Sequence, residues 1–353
     1  MKKLLSIVLI SSLVLVSCDF DKDFEEMNVD LTKAAQLDVN NKLASVFLKT
    51  SGGRYENWRA GLIYSSQILQ HMSSTATYWT GNFYTRNEGY ATSLFDQAYP
   101  QQVKEIEDII YQLTNDGVTG DQMGIARIWR AFIYHRLTDL YGDVPYSEAG
   151  KGYIDGVLKP KYDAQQDIYM DMLKELEEGV SQLGSTSSLG NSDLLFQGDL
   201  GKWKKFGNSL MLRLALRLSK ADPSTSQAWA TKAIAGGVMT SNADIAYIQH
   251  LLGPDGWNKN GNGEVFMADG NPRLSKTFVD FLKDDPRLPI LGARRSDGST
   301  NPADLIGMPN GLTTGALEAK YGTTSAIYAE PNRGVITGED APMVFQTYAE
   351  VEF

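Results

Sequence analysis

The chain has a single cysteine, Cys18, and only three histidines, His71, His135 and His250, in 353 residues. One thiol rules out an internal disulfide framework, and histidines this far apart form neither a HExxH pair nor any other close metal-ligand spacing. Glycine is plentiful, yet no phosphate-cradling arrangement is built from it. There is no P-loop and no Gly-x-Ser-x-Gly elbow, and Gly261-Asn262-Gly263 runs into Glu264-Val265-Phe266 without the third glycine of a dinucleotide fingerprint. No cofactor is expected. Positive charge is also scarce, with 33 Lys and Arg against 43 Asp and Glu and a net charge of −10. Such a surface repels phosphate backbones and anionic headgroups, which argues against nucleic acid as a partner and against electrostatic adhesion to a bilayer.

Long apolar runs are likewise missing. The longest spans residues 4–16 behind Lys2 and Lys3, too short to cross a hydrocarbon layer that takes about 20 apolar residues. It reads as a signal peptide, and Leu15-Val16-Ser17-Cys18 fits a lipobox, in which the chain is cut before an acylated cysteine. Residues 1–17 are therefore expected to be a lipoprotein leader, and residues 18–38 an acidic tether that begins Asp19-Phe20-Asp21-Lys22-Asp23. Asp19, Asp21 and Asp23 occupy the first ligand positions of a calcium loop, but Phe24 stands where its sharp turn needs glycine. Calcium is rejected there. With no basic patch present, membrane attachment has to come from lipid on Cys18.

The remainder, residues 39–353, reads as mostly α-helical and is organised around residues 122–183. Ile125, Ile128, Trp129, Phe132, Ile133, Leu137 and Leu140 recur at helical spacing and form a stripe wide enough to be buried on two sides. Tyr141-Gly142 ends that helix. A second amphipathic helix buries Tyr169, Met172, Leu173, Leu176, Val180 and Leu183, with Asp163 as the expected N-cap and Gln166 completing a capping box. Together they predict a helical hairpin of the tetratricopeptide kind.

The wording of this stretch is more specific than its pattern. Arg130-Ala131-Phe132, Leu140-Tyr141-Gly142-Asp143-Val144-Pro145-Tyr146, Tyr162-Asp163, Ile168-Tyr169 and Leu173-Lys174-Glu175-Leu176 closely resemble the SusD/RagB family, in its SusD-like variant. The resemblance implies a surface lipoprotein of the outer membrane, anchored through Cys18. It also implies capture of glycans or peptides for a SusC-like TonB-dependent β-barrel transporter.

Further helices are expected from 39 to 48, 58 to 72, 93 to 113, 202 to 218 and 274 to 282, and one from Asp222-Pro223, a cap followed by proline at the first helical position, with Trp229, Ala233 and Ile234 inward. Ala246-Tyr247-Ile248 reads as a short strand. Residues 292–340 read as an extended polar loop. The last residues, from Pro342, read as the opening of a buried helix with no terminating signal, and since the resembled family continues there, the chain is expected to lack a C-terminal part that would cover apolar surface.

Two stretches are candidates for function. Residues 73–90 lose all periodicity while gathering Tyr78, Trp79, Asn82, Tyr84, Arg86 and Tyr90, and residues 253–263 form a turn-rich loop around Trp257, Asn258 and Asn260. Sugar rings stack their C–H faces on flat aromatic rings while their hydroxyls pair with short polar side chains. The expected ligand set is therefore Trp79, Asn82, Tyr84, Arg86, Trp257 and Asn258. Each of these aromatics could equally staple its loop to the body. Trp58, Trp129, Trp203 and Trp229 lie on helical stripes and are assigned to the core. No catalytic constellation is evident, but two carboxylates facing across a sugar are not visible in a sequence. A secreted polysaccharide hydrolase and a structural envelope scaffold stay open as alternatives.

Overall fold

The structure, a computed structural model, describes residues 37–253 and 258–353. The leader, Cys18 and the tether up to residue 36 lie outside the described residues, as does Trp257.

The body is a stack of helices: α1 (Val39–Thr50), α2 (Lys104–Asn115), α3 (Asp121–Tyr141), α4 (Gln165–Gln182), α5 (Leu200–Arg217) and α6 (Pro223–Gly236). Helix α3 is buried along most of its length, as its wide stripe requires. It runs antiparallel to α4. Gly124 lies against Gly179 near one end of the pair, Arg127 binds Glu175 at 2.8 Å further along, and Tyr169 donates to Asp139 at the other end. A Cβ on Gly124 would fall 2.6 Å from the Gly179 carbonyl oxygen, so the two backbones touch only because neither residue has a side chain. Helix α5 covers the same hairpin, and α6 closes on α5 through Asn208, whose Nδ2 donates to the Gly236 and Gly237 carbonyls at 2.8 and 3.0 Å.

The core is aromatic at its centre. Phe47, Trp129, Phe132, Trp203 and Phe206 form one ring cluster, with Phe47 and Trp129 edge-on at 4.9 Å and Trp129 stacked on Phe132 at 4.9 Å. The indole N–H groups inside it find acceptors: Trp129 donates to Thr50 Oγ1 at 3.0 Å and Trp203 to Asp193 Oδ2 at 2.8 Å. His135 is buried beside this cluster. Burial, aided by nearby Arg213, lowers its pKa well below the usual value, so its Nδ1–H donates to the Phe132 carbonyl at 2.6 Å and its Nε2 accepts from Arg213 at 3.3 Å. It is a neutral core histidine.

Among the described residues the strands form four two-stranded antiparallel pairs, with one isolated parallel bridge between Ser275 and Met308. The strands are β1 (Met72–Ser73), β2 (Val144–Pro145), β3 (Tyr162–Asp163), β4 (Ala246–Ile248), β5 (Arg273–Leu274), β6 (Gly292–Arg294), β7 (Ala329–Pro331) and β8 (Met343–Gln346). They pair β1 with β5, β2 with β3, β4 with β8 and β6 with β7.

Several local expectations change. Asp163 is not a helix cap: it lies in β3, its carboxylate accepts from the Tyr146 and Ser147 amides at 3.1 and 2.8 Å, and Asp143 takes the orphan Gln165 N–H instead at 2.9 Å. The residues after Pro342 begin as strand β8, seating Phe345 against Trp129 and Phe132, before a short helix at Tyr348–Glu352. Ile234 points outward, 58% exposed, while Ala233 is buried. Residues 292–340 contain β6, β7 and the helix Thr314–Tyr321 rather than an unbroken loop. The turn-rich stretch ends sooner than expected, because Asn260 caps a helix α7 (Gly261–Ala268) by accepting from the Asn262 and Gly263 amides.

Candidate functional site

The face built by residues 54–91 and 260–271 starts from an unusual helix. After a single turn at Arg54–Glu56 the chain continues as a π-helix over Asn57–Ser66, a form rare at this length and frequent at functional positions. Its inner side packs Leu62 and Ile63 against Trp79, Val265 and Phe266 in a small core separate from the helical body. The loop from 80 to 83 lies directly on it, since a Cβ on Gly81 would sit 1.9 Å from the Ile63 carbonyl oxygen.

Two of the expected ligand residues serve this packing. Trp79 is fully buried, and its indole N–H donates to Asp269 Oδ2 at 2.9 Å. Asn82 is also fully buried, its amide nitrogen donating to the Ser74 carbonyl at 2.8 Å and its backbone N–H to Gln67 Oε1 at 2.8 Å. The expectation of an exposed Trp79 ring beside an exposed Asn82 is thereby corrected: both fasten the loop, because an indole and an amide with internal partners gain more from burial than from water. Tyr84 does project, 66% exposed, at a left-handed backbone position with φ 53°. Arg86 is exposed and paired with Glu88 at 2.8 Å. Asn258 is half-buried, its carbonyl accepting from the Leu251 amide and from His250 Nδ1. The structure does not gather these three into one contact set.

What it gathers instead is a cluster of rings around Trp58. Tyr55, Tyr78 and Tyr90 surround this indole with centroids at 6.3, 5.9 and 6.3 Å, Tyr78 meeting it edge-on. Tyr55 is 58% and Tyr78 38% exposed, so the cluster is open to solvent, unlike the aromatic centre of the body. Tyr78 is fixed by a short network: its hydroxyl donates to Asp269 Oδ2 at 2.9 Å and accepts from Asn271 Nδ2 at 2.7 Å, while Asn271 also holds Asp269 Oδ1 at 2.8 Å. Burial, with the Asp269 carboxylate beside it, pushes the Tyr78 phenol up from its ordinary value. Two guanidiniums complete the group. Arg59 lies 5.1 Å from the Tyr55 ring centre and 5.3 Å from that of Tyr90, and Arg54 lies 5.9 Å from Tyr55. Pre-set rings beside polar and cationic edges suit a ligand with apolar faces and a polar rim.

Trp58 is half-buried against the small core of Leu62, Ile63 and Trp79, in keeping with its expected core position, and its ring also borders the open cluster; Tyr55 and Arg59 fall outside the expected ligand set. Tyr55, Trp58 and Arg59 stand at i, i+3 and i+4, so a helical face carrying an arginine among its aromatics was the available signal. Behind the cluster Glu56 turns inward. It is 5% exposed, its Oε1 lies 3.6 Å from Arg136 of α3, and burial raises its carboxyl pKa to about 7 against the opposing pull of Arg136.

A second recess, of about 440 Å³, opens between α2, α3 and α4 beside Arg130 and Tyr146. Its polar groups satisfy one another: Arg130 donates to Glu107 and to the Tyr146 hydroxyl at 2.6 Å each, and that hydroxyl donates to Asp171 at 2.6 Å. This network holds the Tyr-Gly-Asp-Val-Pro-Tyr turn in place. Among the described residues no group of three or more His, Cys, Asp or Glu is arranged to hold a metal ion, and no helix is long and apolar enough to cross a membrane.

Residues 36–353 match the SusD-like_2 family, described as starch-binding and associating with the outer membrane. The chain belongs to this SusD-like family. It is similar in structure to a chitin-binding protein, at 31% identity and a TM-score of 0.78 over 89% of this chain and 68% of that one. It is also similar to a SusD-like protein from Bacteroides thetaiotaomicron (22% identity, TM-score 0.72, 89% of this chain and 63% of that one). A chitin-binding SusD homolog from Flavobacterium johnsoniae matches at 19% identity and a TM-score of 0.72, over 89% and 64%. These last two likenesses speak for the fold alone. No curated protein matches the chain. The helical body is the fold shared with these SusD-like structures.

Proposed function

We propose that this SusD-like protein captures glycans at the outer membrane, held there by lipid on Cys18, and hands them to a SusC-like TonB-dependent transporter without transforming them. The observation that carries the reading is the solvent-open ring cluster of Tyr55, Trp58, Tyr78 and Tyr90 with Asn271 and Asp269 at its edge. Rings held by neighbours lose little freedom when a sugar stacks on them, which is how a binding surface gains affinity without a deep cavity. Tyr84, Arg86, Asn258 and Trp257 remain in the proposed set as outlying contacts for a long polymer. The family description and the chitin-binding relative make starch and chitin oligosaccharides the first ligands to test.

Titration calorimetry with starch, chitin and peptide ligands, followed by analysis of each for products, tests the proposal. Saturable glycan binding, with no product and with affinity lowered in Tyr55→Ala and Trp58→Ala, supports it. Turnover of the glycan favours a hydrolase, binding of peptides alone moves the ligand class, and binding of nothing leaves a scaffold. Copurification of the native-length lipoprotein with a large β-barrel tests the transporter half, and recovery of the lipoprotein alone contradicts that half.

A further inference from the structure

The helical body and the glycan face each hold an arginine between two tyrosine rings, and only one of the two is complete. In the body, Arg130 lies 4.9 and 4.3 Å from the Tyr134 and Tyr146 ring centres, and its Nε donates to the Glu107 carboxylate at 2.6 Å. On the face, Arg59 lies 5.1 and 5.3 Å from the Tyr55 and Tyr90 ring centres. No carboxylate among the described residues pairs with it, and its Nε is shielded without an acceptor. Arg54, on the other side of Tyr55, is in the same condition, and so is the Trp58 indole N–H. The nearby carboxylates are engaged elsewhere: Asp269 by Tyr78, Trp79 and Asn271, Glu88 by Arg86, and Glu56 turned in toward Arg136.

Two guanidiniums that no carboxylate among the described residues pairs with thus flank one open ring cluster, on a chain whose net charge is −10. A neutral sugar brings hydroxyls that donate as readily as they accept. A carboxylate or sulfate brings only acceptors and the opposite charge, and a guanidinium meets it with parallel N–H groups. We infer that the face selects acidic glycans, polymers bearing uronate or sulfate groups, with Arg59 and Arg54 receiving the anionic substituent while Tyr55 and Trp58 stack on the sugar ring. This rests on the reading of the face as a glycan site and goes further by naming the ligand class.

The test compares matched probes: oligogalacturonate, oligoalginate and a sulfated galactan oligosaccharide, each beside its neutral methyl-esterified or desulfated form, with chitin and starch oligosaccharides as neutral references. Wild-type protein is expected to bind at least one acidic form about tenfold more tightly than its neutral counterpart. That preference should shrink as salt is raised, persist in part in Arg59→Lys, and fall toward one in Arg59→Gln. Equal affinity for the two forms, preference for the neutral one, or failure to bind any acidic form overturns the inference. If Tyr55→Ala and Trp58→Ala also leave chitin and starch binding unchanged, it is the glycan site itself that fails. If they weaken neutral binding while acids show no advantage, the site stands and only its charge selectivity is refuted.

Discussion

Arg130 and Arg59 occupy the same local arrangement in two regions with opposite purposes. Between Tyr134 and Tyr146, with Glu107 at 2.6 Å, Arg130 is sealed into the helical body and every donor it turns inward is matched. Between Tyr55 and Tyr90, Arg59 is half-buried on the loop face with its carboxylate missing among the described residues. The tryptophans divide in the same way. Trp129 and Trp203 have acceptors in the body and Trp79 has one behind the face, whereas Trp58 has none. Unmatched buried atoms occur in the body as well, at Gln182 and Gln346, so what sets Arg59 and Trp58 apart is that they lie beside rings open to solvent.

The comparison can be broken most directly in the body. Arg130→Ala leaves Glu107 buried without its cation and is expected to cost about 4 kcal/mol of stability, measured by denaturant unfolding, whereas Arg59→Ala should cost well under about 1 kcal/mol. Similar losses for the two would erase the distinction.

Glu56 sharpens it next, because its carboxyl lies where the face meets α3. In an unfolded chain it titrates near 4.5, and in the fold at about 7. The folded state therefore holds the proton longer, and stability must fall as the pH rises from 4.5 toward 7, by about 3 kcal/mol in all, and level off above. Unfolding curves across this range should show that fall in wild-type protein and its loss in Glu56→Gln. A fall that persists in the variant assigns the titration to another group.

A smaller effect is expected at Gly81. A methyl group there would collide with the Ile63 carbonyl 1.9 Å away, so Gly81→Ala should displace the loop that carries Tyr78 and cost about 2 kcal/mol. Weaker glycan binding together with the lower melting temperature is the expected outcome. Full affinity in the variant would mean that the loop does not position the rings.

The body was largely legible in the sequence, and the face was not. Helix α3 was visible because Ile125, Trp129, Phe132 and Leu137 repeat with the helical period, and α6 because Asp222-Pro223 is a local cap signal that the structure bears out, with Asp222 accepting from the Thr225 amide. Membership of the SusD-like family was carried by the words around Tyr141–Tyr146. The face depends on partners far apart in the chain. Trp79 is buried because of an aspartate 190 residues further on, and nothing near Trp79 announces it. Trp58 packs against a buried cluster as its helical stripe implies, but apolar spacing alone does not show that the same ring also borders solvent-facing tyrosines. The π-helix that presents it has no periodic signature distinct from an α-helix over ten residues. Asp163 shows a different limit: its position before an amphipathic helix matched a cap, but strand pairing with Val144 claimed it first.

The central claim is that the loop face, and not the helical body, grips sugar. Trp229 offers a control, since it is half-buried on α6 beneath Lys232 at 4.1 Å and outside the cluster. Titrating wild-type protein, Trp58→Ala and Trp229→Ala with chitin, starch and oligogalacturonate oligosaccharides should show a loss of about 1 kcal/mol of binding free energy in Trp58→Ala and none in Trp229→Ala. Equal losses in the two variants, or a loss confined to Trp229→Ala, would contradict the account.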